Sequence, residues 1–211
     1  MSLRDRRTQY ESAGLRRADL DADPVRQWRR WYDEAEEAGV TEPNAMTLST
    51  IGADGGPDSR IVLARGFDDR GVTFYSNRDS AKGGQLAGRA QVSLVFAWLD
   101  LHRQVRIRGT ASELPDEESD AYFASRPRGS QEGAWASPQS TPIASRDELE
   151  RLAAQAASRF SGADVPRPPW WGGWIVSPQS FEFWQGRPNR LHDRLRYERR
   201  DGDWTIVRLA P

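Results

Sequence analysis

The segment FEFWQGRPNRLHDR, residues 181–194, concentrates side chains that could take part in chemistry. It contains Trp184, Arg190, Arg194 and His192, one of only two histidines in the chain. Arginine binds planar anionic groups through paired hydrogen bonds, and histidine can exchange a proton near neutral pH. Aromatic residues alternating with charged ones are also typical of a half-buried strand, so the segment alone leaves both interpretations open.

Other side chains are suited to phosphate. Arg60 and Arg65 bracket the segment RIVLAR, and Lys82 falls in the first turn of a short helix predicted after Ser80. Backbone N–H groups and the helix dipole favour an anion at such a helix start. These cations therefore indicate one phosphate site, although each set alone is also typical of a solvated surface.

A second phosphate site is indicated by AYFASRPRGSQ. Tyr122 and Arg126 are four residues apart, so a helix over 115–126 would place them on one face, and Ser130 follows the break at Pro127. Two hydroxyls and a guanidinium that converge can bind a phosphate. Two such sets of residues favour two phosphorylated ligands.

Composition excludes several kinds of chemistry. The 211 residues include no cysteine, which excludes disulfides, thiolate nucleophiles and Cys-ligated metals. His102 and His192 are far apart in sequence, so no metal site is predicted. A net charge of −1 argues against nucleic acid as the main partner. With no apolar run long enough to cross a membrane and no signal-peptide pattern, no membrane partner and a cytoplasmic location are predicted.

The hydrophobic periodicity predicts helices that alternate with short strands. The helices are predicted from 24 to 38, 80 to 88, 115 to 126 and 146 to about 160, the last with a Ser145–Glu148 capping box. The strands are predicted over 45–52, 60–67, 72–77, 90–98, 103–114, 174–178, 180–186, 192–200 and 203–211. Residues 164–173 are predicted to be a Pro/Gly connector.

These elements predict an α+β fold. Mostly antiparallel strands with helices packed outside are typical of a closed β-barrel, because closure removes exposed edges. No internal linker divides the chain. The first twenty residues are polar and without period, and by composition alone they indicate a disordered arm.

The residues and their order resemble one known family. FEFWQGRPNRLHDR is similar to the C-terminal signature of the pyridoxamine 5′-phosphate oxidases, with Glu182, Trp184, Arg190, His192 and Arg194 at the matching positions. The resemblance continues through nearly the whole chain, in the segments RRTQYESAGL, EPNAMTLST, SRIVLAR, VTFYSN, SAKG, RQVRIRG, YFASRPRGSQEGAWASPQS, WWGGWIV and VRLAP.

The resemblance implies a fold and an activity. The fold would be an antiparallel split β-barrel of the FMN-binding type with peripheral helices, working as a homodimer with FMN at the interface. Residues 21–211 would form this single domain, and residues 1–20 an arm that folds over the substrate. The reaction would oxidise pyridoxamine or pyridoxine 5′-phosphate to pyridoxal 5′-phosphate, with hydride transfer to the flavin and reoxidation by molecular oxygen to give hydrogen peroxide.

The resemblance also assigns residues, by matching positions only. Arg190 and His192 would be catalytic and would contact the substrate. The cofactor would be bound by Arg60, Ile61, Val62, Leu63, Ala64, Arg65, Tyr75, Ser76, Lys82, Gln104, Gln139, Ser140, Trp184 and Arg194. The substrate would further be bound by Arg7, Tyr10, Arg65, Tyr122, Arg126 and Ser130.

Two positions depart from the family pattern. Arg65 stands where the family usually has lysine, and Ala81 precedes Lys82 where it often has arginine. The first departure concerns the substrate phosphate and the second removes one contact to the FMN phosphate. Two alternatives stay open: an FMN oxidase of another ring substrate, as in phenazine pathways, and a flavin- or pyridoxal-phosphate-binding protein with little turnover.

Overall fold

Alternating apolar and polar residues produce an antiparallel sheet in the computed structural model, which describes Tyr10 and residues 14–211. In β1, for example, Met46, Leu48 and Thr50 are buried while the residues between them are partly exposed. The strands are β1 (Ala45–Ile51), β2 (Pro57–Leu63), β3 (Gly66–Asp68), β4 (Gly71–Asn77), β5 (Gln91–Trp98), β6 (Arg103–Glu113), β7 (Trp171–Gln185), β8 (Asp193–Arg200) and β9 (Asp203–Leu209).

The sheet curls into a half-barrel in the order β2-β1-β5-β6-β7-β4-β3, with β8 and β9 branching from β7. The predicted α+β class and split barrel are confirmed. The prediction of a closed barrel is wrong, because no ladder among the described residues joins β2 to β3 at the two ends of the order. Instead, β7 pairs with β4 along its first half and with β8 along its second, so the sheet divides there.

The longest strand was predicted as two, with residues 171–173 in the connector. β7 runs without interruption past Pro178, which suggested a break because proline cannot donate to a ladder. The pairing passes from Arg108↔Ser180 to Gly109↔Pro178, so one extra residue of β7 bulges out there. A Cβ on Gly109 would lie 2.3 Å from the Ser177 carbonyl oxygen, so only glycine fits this close approach.

The predicted turn over 53–59 is also too long. Residues 57–59 pair with β1, which leaves a tight turn closed by a hydrogen bond from Gly52 N–H to the Gly56 carbonyl. β2 therefore begins three residues earlier than predicted and ends before Arg65.

Five helices pack around the sheet. They are α1 (Pro24–Glu37), α2 (Ala81–Gly88), α3 (Asp116–Ala124), α4 (Arg128–Ala136) and α5 (Arg146–Arg159). The first begins as predicted, with the Asp23 carboxylate accepting from Val25 N–H and proline at the first position. The last begins at the predicted Ser145 cap, which accepts from Glu148 N–H.

The region after α3 differs from the prediction. α3 ends at Ala124, because Arg126 precedes Pro127 and a residue before proline avoids the helical conformation. A further helix, α4, then begins at Arg128, and the sequence did not predict it because Gly129 and Gly133 lower helix propensity.

Two apolar clusters connect the helices to the sheet. The main core lies under α1, where Trp28 packs edge-on against Phe67 and Phe96 with ring centroids 4.3 and 5.2 Å apart. A smaller cluster joins Phe123 of α3 to Trp171 of β7. Within the part of the chain that the structure describes, no helix is long and apolar enough to cross a membrane.

Candidate functional site

A cavity of about 480 Å³ lies between the sheet, the start of α2 and the α3–α4 region. Its lining residues come from separate parts of the chain: Ile61, Val62, Leu63, Arg65, Tyr75, Ser76, Asn77, Lys82, Tyr122, Arg126, Ser130, Gly133, Ala134, Ser137, Gln139 and Trp171. Three of these side chains are cations and none is a carboxylate. We refer to all of these lining residues as the cavity group. A cavity with this charge is suited to an anionic ligand.

Lys82 lies at one end of the cavity group, in the first turn of α2. The helix is capped by Ser80, whose side chain accepts from Gly83 N–H. The ammonium nitrogen lies 3.0 Å from Ser76 Oγ and 2.7 Å from Gln139 Oε1. Burial lowers the pKa of Lys82, and the nearby charge of Arg60 lowers it further. Neutral partners hold the lysine in place, so its charge is available to an anion.

Arg126 lies at the other end, over an aromatic stack. Tyr75, Tyr122 and Trp171 have nearly parallel rings, and the two tyrosine centroids are 3.9 Å apart. The Arg126 guanidinium sits 4.7 Å from the centroid of the Trp171 ring. Its Nη1 is buried without a hydrogen-bond partner among the described residues. Burial lowers the pKa of Arg126, and the positive charge of Arg65 lowers it further. A buried donor without a partner costs free energy, which a bound anion would remove.

Of the remaining residues predicted to bind phosphate, two line the cavity and one lies next to it. Arg65 is exposed beyond the end of β2, and Ser130 lies in the first turn of α4. Arg60 is not part of the lining: its guanidinium bonds Thr50 Oγ1, Asp58 Oδ2 at 2.6 Å and Gln85 Oε1 at 2.9 Å. Arg60 acts on the cavity through its charge near Lys82.

Three other residues predicted to bind the cofactor are placed differently. Ile61 lines the cavity and leaves 72% of its surface exposed, a large apolar exposure for a strand residue. Ala64 is buried, and its N–H donates to the Asn44 carbonyl. Ser140 follows Gln139 outside the lining, in a left-handed conformation with φ 70°.

A second group of predicted residues lies where β7 ends. The rings of Tyr10 and His192 have centroids 5.6 Å apart, and Trp184 lies 6.1 Å from Tyr10 and 4.6 Å from His192. The neighbouring ladder pairs Trp184 with Gln104 on one side and Arg194 on the other. We refer to these residues as the strand-end group: Tyr10, Gln104, Trp184, Arg190, His192 and Arg194. Arg7 lies outside the described residues.

His192 has a defined tautomer in this group. Its Nδ1 accepts from the backbone N–H of Arg187 at 3.1 Å, so the neutral ring carries its proton on Nε2. Burial lowers the pKa of His192, and the positive charge of Arg190 lowers it further. Arg190 is exposed in a left-handed conformation with φ 62°, following Asn189 at φ 56°. The imidazole is therefore neutral at pH 7 and presents an N–H donor.

The two groups are far apart within one chain. Trp171, under the cavity group, and Trp184, in the strand-end group, lie near opposite ends of β7. At about 3.3 Å per residue, roughly 40 Å of strand separates them. Among the described residues, no hydrogen bond, ion pair or ring contact joins one group to the other.

Sequence reasoning missed three residues that the structure brings to these groups. Trp171 completes the aromatic stack, but its position in WWGG suggested a connector. His102 lies 4.4 Å from the Tyr10 ring, although the two are distant in sequence. Glu182 was matched to the signature without a role, and its carboxylate contacts Arg194 at 2.9 Å. The alternation of Glu182 with Phe181 and Phe183 predicts a solvent-facing carboxylate, so no sequence pattern indicated its burial.

Comparison with known families agrees with this arrangement. Residues 32–160 match the family model described as pyridoxamine 5′-phosphate oxidase. Residues 171–211 match a second model, described as the pyridoxine 5′-phosphate oxidase C-terminal dimerisation region. The strand-end group, apart from Tyr10 and Gln104, lies within this dimerisation region.

Individual relatives cover the whole chain. The pyridoxine/pyridoxamine 5′-phosphate oxidase of Rubrobacter xylanophilus is 55% identical over 97% of this chain and 94% of its own. The protein of that name from Salinibacter ruber is 54% identical over 99% of each chain.

Solved structures share the fold. The crystal structure of PhzG from Burkholderia lata 383, in complex with tetrahydrophenazine-1-carboxylic acid, covers 97% of this chain and all of its own with a TM-score of 0.89 and 33% identity. A pyridoxamine 5′-phosphate oxidase-related, FMN binding protein from Nostoc punctiforme has a TM-score of 0.72 at 16% identity, covering 91% of this chain and all of its own. The second likeness concerns the fold alone.

Proposed function

The chain belongs to the pyridoxamine 5′-phosphate oxidase family, and on that premise we propose that it oxidises pyridoxamine or pyridoxine 5′-phosphate to pyridoxal 5′-phosphate with FMN as cofactor. The observation that carries the proposal is the cavity group, with three cations, no carboxylate and a buried guanidinium nitrogen without a partner. Full-length relatives of the same name support the substrate class.

The residues present fit FMN and a phosphorylated substrate together. Lys82, Ser76 and Gln139 supply an ammonium and two polar side chains at one end of the cavity, where they would bind the FMN phosphate. Arg126 and Tyr122, with Ser130, supply the other end, where they would bind the substrate phosphate. Two cationic ends in one cavity match a cofactor and a substrate that each carry one phosphate.

The side chains of this protein orient the substrate and hold the proton donors of the site in place. The chemistry that FMN supplies when bound is acceptance of a hydride from substrate carbon C4′, followed by its reoxidation by molecular oxygen to hydrogen peroxide. His192 presents Nε2–H to a polar atom of the substrate, because Nδ1 is already occupied. The Arg190 guanidinium would face the same substrate, and its charge adds to burial in lowering the pKa of His192. Water then hydrolyses the oxidised amine to the aldehyde and ammonia.

A complete site needs two copies of the chain. One chain places the cavity group and the strand-end group near opposite ends of β7, and no contact among the described residues joins the two groups. In a two-fold dimer each copy supplies the surface that the other lacks, so two equivalent sites form. The exposed Ile61 and the C-terminal dimerisation region support a homodimer with FMN at the interface.

The residues that precede the barrel also have a role in the proposed function. We propose that residues 1–20 act as an arm over the substrate, a role that the contacts of Tyr10 with His192 and Trp184 support, whereas Arg7 lies outside the described residues. Residues 21–211 form the single FMN-binding domain. The cytoplasmic location stays a prediction.

The decisive experiment is an assay of the purified protein. We expect a yellow protein with a flavin spectrum that releases one hydrogen peroxide per pyridoxamine 5′-phosphate oxidised. FMN should bind more tightly than riboflavin, by roughly tenfold or more, because Lys82 interacts with the phosphate. Equal affinity for riboflavin and FMN, or no peroxide from a flavin-loaded protein, would contradict the proposal.

The similarity to PhzG favours one second candidate, an FMN oxidase of another ring substrate. Arg65 separates the two, because it lines the cavity where the family usually has lysine. If Arg65 simply replaces lysine as a phosphate ligand, Arg65→Lys should keep most activity on pyridoxamine 5′-phosphate. If the native protein is poor on that compound while FMN is fully bound, and Arg65→Lys improves it, the second candidate is favoured.

A further inference from the structure

Glu182 is a buried carboxylate that the proposed reaction does not use. It lies in β7 with 7% of its surface exposed, and it is the only charged residue among the buried polar residues that the structure describes. Burying a carboxylate is costly unless cations and hydrogen bonds compensate for lost hydration. Its contacts therefore indicate what the carboxylate is for.

Two arginines on the neighbouring strands contact this carboxylate. Arg194 of β8 donates from Nε to Oε1 at 2.9 Å, and Arg106 of β6 donates from Nη1 to Oε2 at 3.4 Å. The sheet register makes this arrangement possible, because Glu182 pairs with Arg106 of β6 on one side and with Arg196 of β8 on the other, and Arg194 lies two residues before Arg196 on the same face of β8. The shorter and better placed bond is the one to Arg194.

Two of the three guanidinium nitrogens of Arg194 have a hydrogen-bond partner among the described residues. Besides the bond to Glu182, its Nη1 donates to the Ala210 carbonyl at 2.9 Å. No described residue accepts a hydrogen bond from Nη2. Acceptors at both Nε and Nη1 therefore fix the orientation of the planar guanidinium.

The surroundings show why Glu182 is needed there. Its carboxylate opens onto a cavity of about 430 Å³ lined by four arginines and two glutamates: Arg106, Arg108, Arg194, Arg196, Glu182 and Glu198, with Gln179 and Ser180. Glu198 pairs with Arg196 and Arg200 instead. Glu182 is thus the carboxylate that orients Arg194 among arginines that would otherwise repel it.

We propose that Glu182 is a positioning residue, whose buried carboxylate holds the Arg194 guanidinium in the orientation that binds FMN. The inference rests on the proposed function, because it takes FMN as the ligand of Arg194. A flexible arginine side chain loses conformational freedom when it binds, and a partner that fixes it in advance removes part of that cost. Glu182 therefore acts on FMN affinity through Arg194 alone.

The test is a double-mutant cycle on FMN affinity. The dissociation constant is measured from the fluorescence of FMN released on dilution of the holoenzyme, for wild type, Glu182→Gln, Glu182→Ala, Arg194→Ala and the Glu182→Ala/Arg194→Ala double variant. We expect Glu182→Gln, which keeps an acceptor for Arg194, to weaken FMN binding about threefold, and Glu182→Ala to weaken it roughly tenfold or more. In the Arg194→Ala background, Glu182→Ala should change affinity by less than about twofold.

Glu198→Gln is the matched control, since it removes the other carboxylate of the same cavity without touching Arg194. It should leave FMN affinity unchanged. Urea unfolding of each variant separates a loss of fold from a loss of affinity. If Glu182→Ala does not fold, the isosteric Glu182→Gln takes its place in the cycle. Its effect on FMN affinity is then compared between wild-type protein and the Arg194→Ala variant.

Two results would overturn the inference while leaving the proposed function intact. One is wild-type FMN affinity in both Glu182 variants, and the other is a loss on Glu182→Ala that is equally large with and without Arg194. If wild-type protein binds no FMN, the proposed function itself fails and the inference fails with it.

Discussion

The cavity group and the strand-end group hold their cations in opposite ways. Lys82 and Arg126 have neutral or aromatic partners, and one nitrogen of Arg126 is buried without a hydrogen-bond partner in the part of the chain that the structure describes. Arg194 is paired with the buried Glu182 carboxylate and the Ala210 carbonyl. The first arrangement leaves positive charge for a ligand to neutralise, whereas the second fixes the direction of a cation that is already neutralised.

This difference assigns different tasks to the two ends of β7. Cations that no carboxylate neutralises bind a phosphate with a similar free energy before and during the reaction. Oriented N–H groups beside a neutral imidazole act on the atoms that change. The cavity group should therefore determine how tightly the phosphates bind, whereas in the strand-end group Arg194 should determine FMN affinity and His192 the rate of the chemical step.

The largest effect is expected at His192. His192→Ala should lower kcat about 100-fold, with a smaller change in KM, because it removes the N–H donor that we propose lies beside the reacting carbon. His192→Gln is the matched variant, since its amide can place an N–H near the position of Nε2, and it should recover part of the rate. Steady-state kinetics with pyridoxamine 5′-phosphate measure both. A change confined to KM would contradict the division between the groups.

A smaller effect, on KM, is expected at Arg126. Charge-assisted hydrogen bonds contribute about 1.5–3 kcal/mol, so Arg126→Ala should raise KM roughly 10- to 100-fold with kcat nearly unchanged. Arg128→Ala is the control, because Arg128 bonds the carbonyls of Phe160 and Ala163 and does not line the cavity. If Arg126→Ala lowered kcat as much as His192→Ala does, the two groups would not differ in task.

The smallest effect concerns the protonation of His192. Its pKa lies below the ordinary 6.5, through burial first and the charge of Arg190 second, so Arg190→Ala should raise the pKa of His192 toward 6.5. In the wild-type protein the lowered pKa means that the unfolded chain binds more protons than the folded chain below about pH 6.5. The free energy of unfolding should therefore fall as the pH drops through that window. With only two histidines, a ¹⁵N NMR titration measures this directly. An unchanged pKa would contradict the charge interaction.

How much could be predicted from sequence also differs between the groups. Four members of the strand-end group, Trp184, Arg190, His192 and Arg194, occur within one fourteen-residue segment, so their proximity is visible in the sequence. The cavity group comes from six segments that only the fold brings together. The family resemblance indicated most of its members, but it did not indicate that the two predicted phosphate sites share one cavity.

The errors have local physical causes. Pro178 suggested a strand end, but a bulge accommodates it within β7. Pro127 suggested a break, but it caps α4, whose glycines weaken the helical pattern. The prediction of a closed barrel rests on antiparallel strands with helices packed outside and on the removal of exposed edges. The way β7 changes partners along its length depends on long-range pairing that periodicity cannot show.

The central claim is that one functional site combines the cavity group of one copy with the strand-end group of another. Subunit complementation tests it most directly. One chain carries Lys82→Ala and Arg126→Ala, the other carries His192→Ala and Arg194→Ala, and the mixed dimer is isolated through two different affinity tags. Each parent dimer should be nearly inactive. The mixed dimer holds one intact and one doubly damaged site, so it should show about half of wild-type activity per dimer. A mixed dimer that binds FMN no better than its parents and remains inactive would contradict the account.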